Sequence, residues 1–233
     1  IRGRGDADRS ALHFGMKRGD MGALIARATG FVIGGLWVAQ LQAEVQFLDY
    51  DYARFNQDVT RCDELASHVR DPGHIAPGVS SSGMDKDAAI AACREAVAAD
   101  PDNPRLNYQL GRAYGYSGRG EDAMPYRLKA LAADYPQSLF VIGYLYFLGQ
   151  TIEQDHCKTV ELWQRAARYQ RLAALISLPR QYIRGDFEAC EVNISAAELR
   201  AYLERARTVS GDYYVGMLVT DLLDELDRWE ASE

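Results

Sequence analysis

Residues Ile142-Gly143-Tyr144-Leu145-Tyr146-Phe147-Leu148-Gly149 decide the fold, because their spacing returns at a fixed step. The pattern Gly143-x-x-Tyr146-x-x-Gly149 is followed by Pro179-x-x-Tyr182-x-x-Gly185, so the tyrosines and the closing glycines are both 36 residues apart. Gly111 and Tyr114 lie 32 residues upstream of Gly143 and Tyr146. A step of this size marks helical hairpins repeated along a stack, since one hairpin cannot bury its apolar face alone.

The flanking segments read as helices. Residues 137–148 carry Leu139, Ile142, Leu145 and Tyr146 on one face, begin after Pro136 and close at Gly149. Residues 156–169 carry Val160, Trp163, Ala166 and Ala167, and residues 172–183 form a helix that Pro179 is expected to kink. Upstream, Asn103-Pro104 supplies an N-cap and an N1 proline for a helix with Leu106, Leu110 and Tyr114. Helix 121–133 is expected to turn Ala123, Leu128 and Leu131 inward, and helix 85–99 to bury Ile90, Cys93 and Val97. Ser195-x-x-Glu198 is a capping box for a helix to about residue 208, and residues 212–230 form a last helix with a polar, acidic outer face.

Toward the N-terminus, Val45, Leu48, Tyr52, Phe55, Val59, Cys62 and Leu65 recur at steps of three and four, so residues 44–69 read as one helix. Residues 71–84 hold two Pro, three Gly and three Ser and form a loop. The expected organisation is a lead with a signal peptide or anchor in 1–43, a helix and loop in 44–84, a repeat array in 85–210 and a capping helix in 211–233.

Charge is distributed unevenly. The chain has 233 residues and a net charge of −7. Residues 1–43 carry six Lys/Arg and three Asp/Glu, which leaves 20 against 30 in residues 44–233. A body this acidic is poorly suited to general nucleic-acid binding, which requires neutralising phosphates. Met16-Lys17-Arg18 reads as a start with a basic n-region, and residues 1–15 as a lead upstream of it. The uncharged run Ala28–Ala39 fits a signal-peptide core and is short for a membrane span, with cleavage expected after Ala43. An uncleaved inner-membrane anchor over residues 21–41 is the alternative.

Beyond that segment lie four cysteines, Cys62, Cys93, Cys157 and Cys190. An even count in an exported chain favours disulfides. Three pairings are possible; Cys62–Cys93 with Cys157–Cys190 is favoured because each pair spans about one hairpin. Zinc is the rival reading, because His156 precedes Cys157, but no C-x-x-C or H-x-x-x-H spacing accompanies it.

Gly143, Tyr146, Gly149, Asp155, Val160, Trp163, Ala166 and Ala167 together resemble the Sel1-like repeat, a relative of the tetratricopeptide repeat. Pro179, Tyr182, Gly185, Leu199, Tyr202 and Ala206 resemble a second, less regular copy. Leu110-Gly111-x-x-Tyr114 with Ala123 and Ala130 fits tetratricopeptide spacing. The stretch from Cys62 to Ala113 is similar to the front end of exported Sel1-repeat proteins of alphaproteobacteria, in which the two cysteines are placed to pair. The resemblance covers about residues 60–207. It implies an all-α, right-handed solenoid of helical hairpins that binds proteins, including a role in regulating membrane sensor kinases. It also implies two alternatives: a cell-wall activity such as weak penicillin binding, and a membrane-tethered structural solenoid.

No nucleophile elbow, phosphate loop, zinc-protease motif or cofactor motif is evident, so the chain reads as a non-enzyme without cofactor or metal. Ser80-Ser81-Ser82 has no partner base in the sequence. Binding is expected instead on the first helix of each hairpin, at positions stepped by 32 and 36: Tyr108, Arg112 and Tyr116; Phe140, Tyr144 and Leu148; Ile176, Arg180 and Arg184. Arg112, Tyr144 and Arg180 would then form a stripe along a concave groove, of residue types that anchor interfaces. An Arg-bearing groove in an acidic protein suits an acidic or carboxylate-bearing peptide from an envelope partner.

Overall fold

The computed structural model describes residues 45–232, which fall within one unit of the chain. The signal or anchor in residues 1–43 lies outside the described residues. Among the described residues there are α-helices, one short 3₁₀ turn at Tyr52–Arg54 and no strand. The helices are α1 (Arg61–Ala66), α2 (Lys86–Ala99), α3 (Pro104–Tyr116), α4 (Gly120–Ala132) and α5 (Pro136–Leu148). They continue with α6 (His156–Arg168), α7 (Leu172–Ile183), α8 (Ala196–Ser210) and α9 (Tyr213–Glu230). Substantial packing joins each helix to the next or the next but one. That nearest-neighbour pattern makes the protein an all-α helical solenoid.

The helix boundaries follow local chemistry. Asp85, Asn103, Asp155, Ser195 and Asp212 each accept a backbone N–H at a helix start. Gly149 closes α5 with φ 65°, and Gly185 follows α7 with φ 83°. The two glycines of the 36-residue phrase therefore share the left-handed conformation that a Cβ disfavours. The turns repeat too. Asp134 and Gln170, also 36 apart, both have positive φ (55° and 58°). Tyr135 N–H donates to Ala130 O, and Arg171 N–H donates to Ala166 O.

Of the residues that carry the resemblance, Val160, Trp163, Ala166, Ala167, Leu199, Tyr202 and Ala206 are buried, while Tyr146 and Tyr182 are half-buried. The buried ones form one cluster with Leu139 and Ile142. Cys62 bonds Cys93 and Cys157 bonds Cys190, with Cα–Cα distances of 4.5 and 5.3 Å. His156, the suggested zinc partner, instead stacks on Phe147 at 5.1 Å and places Nδ1 2.8 Å from Asp186 O.

The helix expected over residues 44–69 is not formed. Residues 45–51 carry no regular secondary structure, the 3₁₀ turn follows, and only α1 is α-helical. Two things break the helix. The first is the capping box of Thr60 and Asp63, which starts α1 afresh. The second is tertiary hydrogen bonding along the lead-in. Arg105 Nη1 donates to Asn56 O at 3.0 Å, and Leu48 N–H donates to Arg168 O at 2.8 Å. The apolar side chains still find cores: Val45 and Phe47 pack on the C-terminal cluster, and Tyr50 and Tyr52 on Tyr108 and Tyr135. Leu128 is also corrected. It is exposed, while Arg127 and Ala130 turn inward. Gly111 makes room for this: a Cβ there would lie 2.8 Å from Arg127 Cγ.

Candidate functional site

A cleft of about 610 Å³ opens where three separate parts of the chain meet. One wall is the loop Val69–His74, the second the α6–α7 turn at Gln170–Leu172, and the third the α8–α9 junction from Val209 to Leu218.

The first wall is a loop held in shape from behind. Arg112 Nη1 donates to Ala66 O (2.9 Å) and Ser67 O (3.2 Å), and Nη2 donates to Val79 O (2.6 Å). Val79 N–H donates to Ser67 O across the loop neck. Gly78 lets the two sides of the neck close, since a Cβ there would sit 2.2 Å from Val69 N. At the tip, Asp71 Oδ1 accepts Gly73 N–H (3.0 Å), and both carboxylate oxygens lie within 3.0 Å of the Tyr135 hydroxyl, which donates to them. Gly73 presses against Tyr135 and Tyr52, so this loop docks on the tyrosine cluster rather than hanging in solvent.

The second wall carries Arg171, the N-cap of α7 and the counterpart, one repeat on, of Tyr135 at the N-cap of α5. Arg171 is only 4% exposed. Its Nε donates to Gln137 Oε1, Gln137 Nε2 donates to the Tyr108 hydroxyl (2.9 Å), and its guanidinium lies 5.4 Å from the Phe140 ring centroid. The third wall carries the polar Ser210 and Asp212 among the apolar Val209, Tyr214, Val215 and Leu218; Val209 is 42% and Tyr214 76% exposed, and Val69 on the loop is 64% exposed.

Burial sets the electrostatics. It pushes the Asp71 carboxyl up to about 6, against the opposing pull of Gly73 N–H, Tyr135 and Arg171. It pulls His68 down to about 4, helped by Arg112, Arg171 and Arg70. It raises Tyr52, Tyr108 and Tyr135, which stay neutral. It lowers Arg171, partly offset by the Asp71 charge.

The predicted binding stripe is redrawn by these contacts. Tyr108 (3% exposed) and Arg112 (4%) are buried and leave any groove. Tyr108 belongs to the tyrosine cluster, and Arg112 is the loop clamp described above, its guanidinium 5.1 Å from the Tyr116 ring. Tyr116, Tyr144 and Arg184 are exposed, Arg180 half-buried, and Phe140 half-buried beneath Tyr144 and against Trp163. None of these lines the cleft except through the contact of Phe140 with Arg171. Asp71 and Arg171 were not singled out by sequence reasoning. The signal was available for Arg171, which follows Tyr135 by the same 36 residues as the glycines.

Ser80 Oγ lies 3.2 Å from Ser82 Oγ and accepts Gly83 N–H, and no base meets it among the described residues. No cluster of three or more metal-ligating side chains is found among the described residues, and none of their helices is long and apolar enough to cross a membrane.

No protein-family model matches this sequence, and no curated protein matches it. Among solved structures, the chain is similar to a Sel1 repeat protein from Oxalobacter formigenes, at 18% identity and a TM-score of 0.46 over 57% of this chain and 97% of that one.

Proposed function

We propose that this chain is a non-enzymatic protein-interaction module that holds a segment of a partner protein in the cleft between the Val69–His74 loop and the α8–α9 junction. The observation that carries the reading is the rim. Val69, Val209 and Tyr214 are large apolar side chains left in water around a concavity of peptide dimensions. Exposed apolar surface gathered at a concavity marks interaction sites. The array supports this use, because it brings three walls from separated parts of the chain together within one unit.

The two disulfides favour an oxidising, extracytoplasmic compartment, and with the export-like residues 16–43 they support a place in the bacterial envelope. Regulation of a membrane-bound sensor is the sub-class that fits such a partner. The alternative of penicillin binding has no observation in its favour and is tested by labelling with a β-lactam probe.

Photo-cross-linking tests the location. A benzophenone amino acid at position 214 is expected to trap a discrete partner in cells, and one at position 144 is not. Adducts from position 144 alone would move the site to the exposed face of α5.

A further inference from the structure

We infer that the cleft selects a partner segment bearing a carboxylate, an Asp or Glu side chain next to an apolar one, whose anion is taken by Arg171 with Arg70. This deepens the proposed function and rests on its placement of the partner in the cleft.

The inference starts from an inventory of charge. Four side chains lining the cleft are acidic or carry a guanidinium: Arg70, Asp71, Arg171 and Asp212. Both acids are already engaged. Asp71 accepts from Tyr135 and Gly73, and Asp212 Oδ1 accepts Tyr214 N–H (2.9 Å) and Val215 N–H (3.0 Å) as the cap of α9. Neither guanidinium has an ion pair, and each keeps unbonded terminal nitrogens. Among the described residues, Arg171 donates a hydrogen bond only through Nε, to Gln137, with its guanidinium 5.4 Å from the Phe140 ring centroid, and its two terminal nitrogens have no hydrogen bond or ion pair. The Arg70 guanidinium has none either; only its backbone N–H is bonded, to His68 Nδ1.

Arg171 makes the asymmetry meaningful. A surface arginine without a partner is satisfied by water, but this one is 4% exposed and lines the cleft. Taking a guanidinium out of water is costly unless an anion meets it. Arg171 lines the cleft with its two terminal nitrogens unbonded, and its planar donors match a carboxylate. Gln137 and the Phe140 ring fix the side chain from the other side, so the fork is held in place before binding.

The same inventory limits the anion. Asp71 lies within electrostatic reach of Arg171, so a doubly charged group would meet repulsion that a single carboxylate meets less. The apolar rim asks for an aliphatic or aromatic neighbour beside that carboxylate, which a peptide supplies and a free small anion does not.

A displayed library of random twelve-residue peptides, selected on the full chain, tests this. Enriched peptides are expected to pair Asp or Glu with an apolar residue. Changing that acid to its amide should weaken binding at least tenfold on the wild type, and Arg171→Gln should erase the difference. Arg70→Gln, at an exposed site, should reduce it with folding intact, which keeps the test open if Arg171→Gln fails to fold. Enriched peptides without acids, or an unchanged acid-to-amide ratio in both variants, would overturn the inference while leaving a peptide-binding cleft. Absence of any enriched peptide would instead overturn the proposed function on which the inference rests.

Discussion

The indole of Trp163 lies against the backbone of Gly143, with so little room that a Cβ at residue 143 would sit 2.6 Å from Cδ1 and 2.7 Å from Nε1. Trp163 is buried and its Nε1 donates to Phe140 O at 3.1 Å, so the ring cannot step aside. This contact fastens α5 to α6. Gly143→Ala therefore gains about 1 kcal/mol of helix propensity but loses about 1–3 kcal/mol to overpacking, and a net loss is expected. Gly216 in α9 faces open space, so Gly216→Ala should stabilise by up to about 1 kcal/mol. Urea midpoints of the two variants should move in opposite directions.

The ion pair of Arg105 and Asp63 ties α3 to α1. Arg105 Nε lies 2.8 Å from Asp63 Oδ1, with the two side chains 4% and 0% exposed. Removing one partner strands the other in the core, so Arg105→Met should cost about 3–5 kcal/mol. Adding Asp63→Asn to it should recover part of that loss, because the stranded charge is gone. Equilibrium unfolding of the two variants measures both steps.

Arg112 is expected to act on the loop rather than on a ligand. Arg112→Gln removes a charged donor from the carbonyls of Ala66, Ser67 and Val79, each charged bond being worth about 1.5–3 kcal/mol. Amide exchange at Val79 should accelerate, and limited proteolysis should cut within residues 67–79. Unchanged exchange at Val79 would contradict the clamp.

Two groups beside the cleft oppose each other on acidification. Asp71 is raised from 3.8 to about 6, so the native state binds its proton first. Its contribution to stability is full below pH 4 and is lost as pH rises through 6, a change of roughly 2–3 kcal/mol. His68 is lowered from 6.5 to about 4, so its contribution is full above pH 6.5 and is lost as pH falls through 4. It is half-exposed, and its share is discounted accordingly. Asp71→Asn should therefore make the protein lose stability from pH 6.5 to 4 more steeply than the wild type. His68→Gln should make it gain stability over the same interval. Urea midpoints at pH 7, 5.5 and 4.5 read the slopes.

Much of the fold was legible because its signals are local. Asn103-Pro104, Ser195-x-x-Glu198 and Gly149 act within one turn of helix, and α3, α8 and α5 begin or end where they say. The 36-residue step carried the packing of Trp163, Ala166 and Ala167, and hairpin spacing favoured the cysteine pairs the structure shows. What failed was non-local. The stripe from Val45 to Leu65 has helical spacing, yet in the irregular lead-in the Asn56 carbonyl is used by Arg105 and the Leu48 amide by Arg168, partners far away in sequence. The binding stripe failed at Tyr108 and Arg112 because the Pro/Gly loop folds over that end of α3, and no periodicity announces where a loop will dock. The cleft itself is built from three segments more than thirty residues apart. Only the pairing of Tyr135 with Arg171 at the repeat step was there to be read.

The central claim is that a partner segment lies in the cleft walled by the loop, the α6–α7 turn and the α8–α9 junction. Hydrogen–deuterium exchange of the full chain, with and without the tightest library-selected acidic peptide, tests it most directly. The account predicts added protection in residues 69–74, 170–172 and 209–218, with little change in 140–148 and 176–184. Protection confined to 140–148 and 176–184 would contradict it and return the site to the exposed face of Tyr144 and Arg180.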